Sequence, residues 1–105
     1  MQKTPYYAVI FTNIQTQDTE GYSEMAQSME NLAKQQPGYL GFEHAREKMG
    51  IAISYWESLD AIANWKANLD HLDAQRLGKE HWYEWYKTRI CRVEREYEFF
   101  KNTEK

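Results

Sequence analysis

The stretch LDHLDAQRLGKEHWYEWY, Leu69 to Tyr86, holds two of the three histidines and two of the four tryptophans of the chain, among several carboxylates. Such a set could ligate a metal, move a proton on a bound molecule, or simply pack. Metal ligation fits badly. His71 and His81 stand ten apart with Gly78 between them, and there is no HExxH, no histidine pair at i, i+4 and no cysteine pair. Asp70, His71 and Asp73 are close in sequence but do not share a helix face. We therefore expect no metal site. Acid–base work is open to His71, because an imidazole titrates near about pH 6.5 and can take a phenolic proton. No dinucleotide fingerprint, phosphate loop or nucleophile elbow is present.

At 100° per residue, Asp60, Asn64, Asn68, His71 and Gln75 fall on one narrow stripe, with Trp65 and Leu72 flanking it on the apolar side. A solvated helix face has the same appearance. The functional alternative is that Asn64, Asn68, Gln75 and His71 border a cleft and hydrogen-bond an oxygen of its occupant. Asn13 is a further candidate, an amide at the end of an apolar strand that must find partners if buried. Trp82, Tyr83, Trp85 and Tyr86 follow at i, i+1, i+3 and i+4, a spacing that suits a short helix closing one end of a core, with Trp82 against the substrate.

These residues need elements to position them. Tyr6 to Ile14 is β-branched and aromatic on both faces, which predicts a central strand. A helix follows, capped by Asp18 or Thr19, with Tyr22, Met25, Ala26, Met29, Leu32 and Ala33 on its buried face, and the QPG at Gln36 to Gly38 stops it. Tyr39 to Arg46 and Ile51 to Glu57 form a hairpin across the short EKMG connection. Ser58 caps a second helix carrying Leu59, Ile62, Trp65, Leu69 and Leu72, and Gly78 breaks it. KEHWYEWYK predicts a third, short helix, and Thr88 to Phe100 a long strand. Charges on both faces of that last strand place it at a sheet edge.

The order β-α-β-β-α-α-β is the α+β, ferredoxin-like split βαβ arrangement with an added short helix. It forms one domain over residues 1–105. Helices cover one sheet face, and a second copy of the chain would cover the other, so we expect a homodimer. A net charge of −3 gives no general affinity for nucleic acid, and no apolar run reaches the roughly 20 residues of a membrane helix. A single cysteine, Cys91, suits a reducing cytoplasm.

PGYLGFEHAR, ISYWESLDAIANWK and HLDAQRLGKEHWYEWYKTRICRVEREY resemble the antibiotic biosynthesis monooxygenase family over nearly the whole chain. The most specific part is W-x-S-x-x-A-x-x-x-W, here Trp56, Ser58, Ala61 and Trp65. The resemblance implies a dimeric α+β barrel and oxygenation of a small aromatic or quinol-like substrate without cofactor. Taken with the polar stripe that carries His71, it makes Asn13, Trp65 and His71 the catalytic candidates. It equally allows a non-catalytic dimer that binds a small aromatic or quinone-like ligand. The haem-degrading branch of the family uses an Asn ending the first strand, a Trp on the second helix and a His ten places after it. Asn13 and Trp65 match, but Gln75 stands at the tenth place, and an amide is a poor ligand for haem iron.

Overall fold

The computed structural model describes residues 3–69 and 74–101. The elements run β1 (Tyr6–Gln15), α1 (Tyr22–Lys34), β2 (Tyr39–Arg46), β3 (Gly50–Trp56), α2 (Leu59–Leu69), α3 (Ala74–Leu77) and β4 (Tyr83–Val93). A π-helical turn, Gly78–Trp82, joins α3 to β4. One sheet has the order β2-β3-β1-β4, and every pairing in it is antiparallel. This is the expected α+β, ferredoxin-like arrangement, with β1 central and the charged β4 at an edge. Among the described residues no helix is long and apolar enough to cross a membrane.

Register decides which side chains meet. The paired row Arg46, Gly50, Asn13, Tyr86 runs across all four strands. Side chains alternate along a strand, so Phe42, Ala52, Ser54, Trp56, Val9, Phe11, Thr88 and Ile90 share the face of that row. Both α1 and α2 pack on this face. Its core is Val9, Ala33, Trp56, Ala61 and Ile62, with Tyr7, Tyr39 and Trp65 packed against it. Tyr6, Ala8, Ile10, Thr12, Ile51, Ile53 and Tyr55 point to the opposite face, where Ile51 is exposed.

The tryptophan motif is a packing unit. Trp56 ends β3 fully buried. Ser58 Oγ accepts the Ala61 amide at 3.1 Å and so caps α2 as expected. Buried Ala61 lets the helix approach, and Trp65, one turn on, stacks back on Trp56 with centroids 5.0 Å apart and planes at 28°.

Three local expectations differ. The cap of α1 is Gly21 at φ 80°, with no side-chain bond, because the helix starts at Tyr22, past Asp18 and Thr19, and the Asp18 carboxylate lies 3.1 Å from His81 Nδ1. KEHWYEWYK is not a helix beyond Trp82, since Tyr83, Trp85 and Tyr86 belong to β4. A β-bulge explains the helical look of their spacing. Ile14 pairs with Trp85 and Gln15 with Tyr83, so Glu84 is an inserted residue, and Tyr83 and Tyr86, three apart, both reach the helix side. The last strand also ends earlier than expected, at Val93, and residues 94–101 have no regular structure.

Candidate functional site

Small side chains at the middle of the helix-facing sheet leave room that the helices do not fill. Ala52 and Ser54 of β3 and Ala26 of α1 face a cleft of about 260 Å³. Its walls are Val9 and Phe11 from β1, Phe42 from β2, Met29 from α1, Ile62 and Trp65 from α2, and Thr88 and Ile90 from β4. Tyr22, Trp82, Tyr83 and Tyr86 wall one end. A largely apolar cavity with a few fixed polar groups is the usual form of a small-molecule site.

The aromatic end is held rigidly. Tyr83 meets Phe11 edge-on at 5.4 Å and Tyr86 at 5.6 Å. Tyr22 meets the Trp82 ring edge-on at 5.4 Å. Trp82 is pinned by its own groups, for Nε1 donates to Glu20 O at 3.0 Å and its carbonyl accepts from Thr16 N at 2.8 Å. Gly78 is required here, because a Cβ at that position would stand 2.9 Å from the Tyr83 ring. Burial and the neighbouring Tyr22 push the Tyr83 phenol well above its ordinary pKa, with Arg46 pulling weakly the other way. Tyr83 is therefore a neutral hydroxyl near pH 7.

Polar groups on the wall are few. Ser54 is buried, and its Oγ accepts Trp56 Nε1–H at 2.8 Å. Trp65 Nε1 is buried with no hydrogen-bond partner. Leaving such a donor unpaired costs about 1–3 kcal/mol.

The expected site residues divide among several places. Trp65 and Trp82 both line the cleft. Asn13 lies on the same sheet face, one pair beyond Phe11, and is 2% exposed. Its Oδ1 accepts from Arg46 Nη2 at 2.5 Å. Gly50 makes that contact possible, since a Cβ there would fall 2.2 Å from the Arg46 guanidinium. Asn64 and Asn68 are exposed on α2, where Asn68 Nδ2 reaches Asn64 O at 2.9 Å and Gln36 Oε1 at 3.2 Å. Gln75 belongs to α3, but its side chain, like the whole of His71, lies outside the described residues. The structure thus brings Trp65, Trp82 and Asn13 to one side of the sheet and leaves Asn64 and Asn68 in solvent.

Sequence reasoning passed over Ser54 and Arg46, and it placed Tyr83 and Tyr86 on a helix where the structure has β4. Strand parity was the available signal for Ser54, which shares a face with Trp56 and Ala52. The bulge hid the tyrosines, and the Arg46 role depends on a glycine four residues later. A second, open hollow of about 470 Å³ is lined by Asp18, Glu20, Glu24 and His81 among others. Among the described residues no three His, Cys, Asp or Glu side chains come together as a metal set.

The model of the antibiotic biosynthesis monooxygenase family matches residues 5–77. Uncharacterized protein YqjZ of Bacillus subtilis (strain 168) is 45% identical over 101 residues, covering 94% of this chain and 89% of that protein. Among solved structures, Rv0793 from Mycobacterium tuberculosis has a TM-score of 0.75 at 12% identity, over 89% of this chain and 98% of that one. SnoaB, a cofactor-independent oxygenase from Streptomyces nogalater, has a TM-score of 0.69 at 11% identity, over 93% of this chain and 100% of that one. At such identities these two structures establish a shared fold.

Proposed function

Because the chain belongs to the antibiotic biosynthesis monooxygenase family, we propose that its cleft oxygenates a small aromatic or quinol-like substrate without metal or bound cofactor. The observation that carries this reading is the apolar cleft itself, walled by aromatic rings, Trp65 and Trp82 among them. Without a cofactor the electrons for oxygen come from the substrate, as its phenolate. The substrate supplies all four electrons: one oxygen atom enters the ring, the ring ends oxidised to the quinone level, and the other oxygen leaves as water with two of the substrate's hydrogens. The protein then has three tasks: take the phenolic proton, hold the resulting anion, and keep bulk water out. We assign the first to His71. Trp65 stacks beside the ring. Asn13, fixed through its Oδ1 by Arg46, has its amide N–H groups left for a developing oxyanion. Trp82 closes the aromatic end.

The protein acts as a homodimer in this reading and works in the cytoplasm. The test is oxygen uptake by chelator-treated protein with a panel of hydroquinones and polyphenols. Consumption above a boiled control is expected. His71→Ala should lower the rate on the order of 10²-fold and move its pH dependence upward, as for loss of a general base. No consumption with any substrate would contradict the assignment.

One observation favours a second reading. Among the described lining residues there is no histidine or cysteine, and the ionisable ones are Glu30, Lys66 and three tyrosines on an otherwise apolar wall, so without His71 the cleft reads as a binding site for a small aromatic or quinone-like ligand. Binding without turnover would be its signature. Haem is a weaker third reading, since Gln75 stands where that branch has its iron ligand.

A further inference from the structure

Arg46 ends β2 and reaches across the sheet. Its row continues through Gly50 and Asn13 to Tyr86, and its Nη2 donates to Asn13 Oδ1 at 2.5 Å, two strands away. On the way the guanidinium fills the place that a side chain at Gly50 would take. It therefore lies on the helix-facing side of the sheet, in the row that brings Tyr86 to the cleft. The next row inward, with Ala52 and Phe11, also lines the cleft, one strand repeat or roughly 7 Å away. The charge is felt on the wall itself, for burial raises the Tyr83 pKa most and Arg46 acts against it.

This cation is fixed but not neutralised. The chain carries 16 acidic residues against 13 lysines and arginines, yet among the described residues no carboxylate pairs with Arg46. Its anchor is the neutral Asn13 amide, itself 2% exposed. Satisfying that amide oxygen needs a donor and no charge. A guanidinium also has more N–H donors than one amide oxygen takes up, so its planar fork keeps donors that match a carboxylate. Lys66 on α2 is the rival cation, because it too lines the cleft. It is exposed and makes no ion pair that fixes it.

We propose that Arg46 is an anion clamp at the strand end of the cleft, and that the ligand is a planar ring acid. Its apolar rings lie along Phe42, Ala52 and Phe11, and its carboxylate meets the guanidinium. The proposal rests on reading the cleft as a ligand site, and it adds the charge of what that site takes. Arg46 is then a specificity-determining residue, and Asn13 and Gly50 hold its fork in place.

The test compares 2-naphthoate with 2-naphthamide, one shape with and without the charge, by calorimetric titration of the full chain at neutral pH. Ionic strength is kept low, because the guanidinium is exposed and salt screens it. Wild type should prefer the acid about tenfold, the scale of a hydrogen bond to a charged group. Arg46→Met should bring that preference close to unity. Gly50→Ala should do the same while keeping the charge, because the added methyl group displaces the guanidinium, and it decides the matter if Arg46→Met does not fold. Lys66→Met should leave the preference in place. Equal binding of the two probes by wild type, a preference that survives in folded Arg46→Met or Gly50→Ala, or one that is lost in Lys66→Met overturns the clamp and leaves the cleft a ligand site. Failure of wild type to bind either probe overturns both.

Discussion

Trp56 and Trp65 touch each other, yet their substitutions should have different consequences. Trp56 is wholly buried, and Trp56→Ala should cost about 3–5 kcal/mol. Trp65 is half-buried on a cavity wall, so Trp65→Ala should cost nearer to about 2 kcal/mol and weaken ligand binding more than stability. Urea midpoints with unchanged slopes measure both. Tyrosines give a second residue-scale expectation. Tyr6 donates to Glu96 Oε1, and that bond, with burial, raises its pKa from 10.0 to about 12. Burial first, and then a bond to Glu43, raise Tyr55 from 10.0 to about 12. The folded protein thus keeps protons that the unfolded chain releases. Stability from these groups is complete below pH 10 and is lost as pH rises through about 12. Spectrophotometric titration should show late-ionising tyrosines, and Tyr55→Phe should remove one of them. Little of this was legible beforehand. The W-x-S-x-x-A-x-x-x-W spacing identified Trp56 and Trp65, but only the structure separates the packed ring from the one on the cleft.

Elements were more legible than their junctions. Hydrophobic periodicity located α1 and α2, because each buries one clear face, and β-branched runs located β1 and β3. The region from Gly78 to Tyr86 misled, since a bulge at Glu84 restores the same-face placement of residues three apart and so imitates a helix. Two glycines test this account. Gly50→Ala puts a methyl group where the Arg46 guanidinium lies, and that flexible end swings away, unpairing Asn13. The cost should be about 1–2 kcal/mol. Adding Arg46→Ala should cost little more, since both changes break one contact, and a double-mutant cycle measures that coupling. Gly78→Ala meets a ring wedged among Phe11, Tyr22 and Tyr86, which cannot yield, and should cost about 1–3 kcal/mol through overpacking.

At the scale of the whole molecule, helices cover one sheet face and leave the other with exposed Ile51 and half-buried Ile10 and Ile53. Beyond β4 the chain carries Tyr97, Phe99 and Phe100, each at least 79% exposed. Both features favour the proposed homodimer, because a lone chain rarely presents so much apolar surface. Sedimentation at micromolar concentration should give twice the 12.6 kDa chain mass, and truncation after Val93 should shift the equilibrium toward monomer. A single 12.6 kDa species for the full chain would contradict it. Strand parity made the apolar outer sheet face readable from Tyr6 to Ile14, whereas the cleft was not, because it arises from small residues on two different elements, β3 and α1, meeting in space. The central claim is that this cleft inserts oxygen from O₂ into an aromatic ring by using the substrate's own electrons. Turnover under ¹⁸O₂ with chelator-treated protein, followed by mass spectrometry of the product, tests it most directly. One labelled oxygen atom in the product is the predicted result, and a product labelled only from water, or no product at all, would contradict the account.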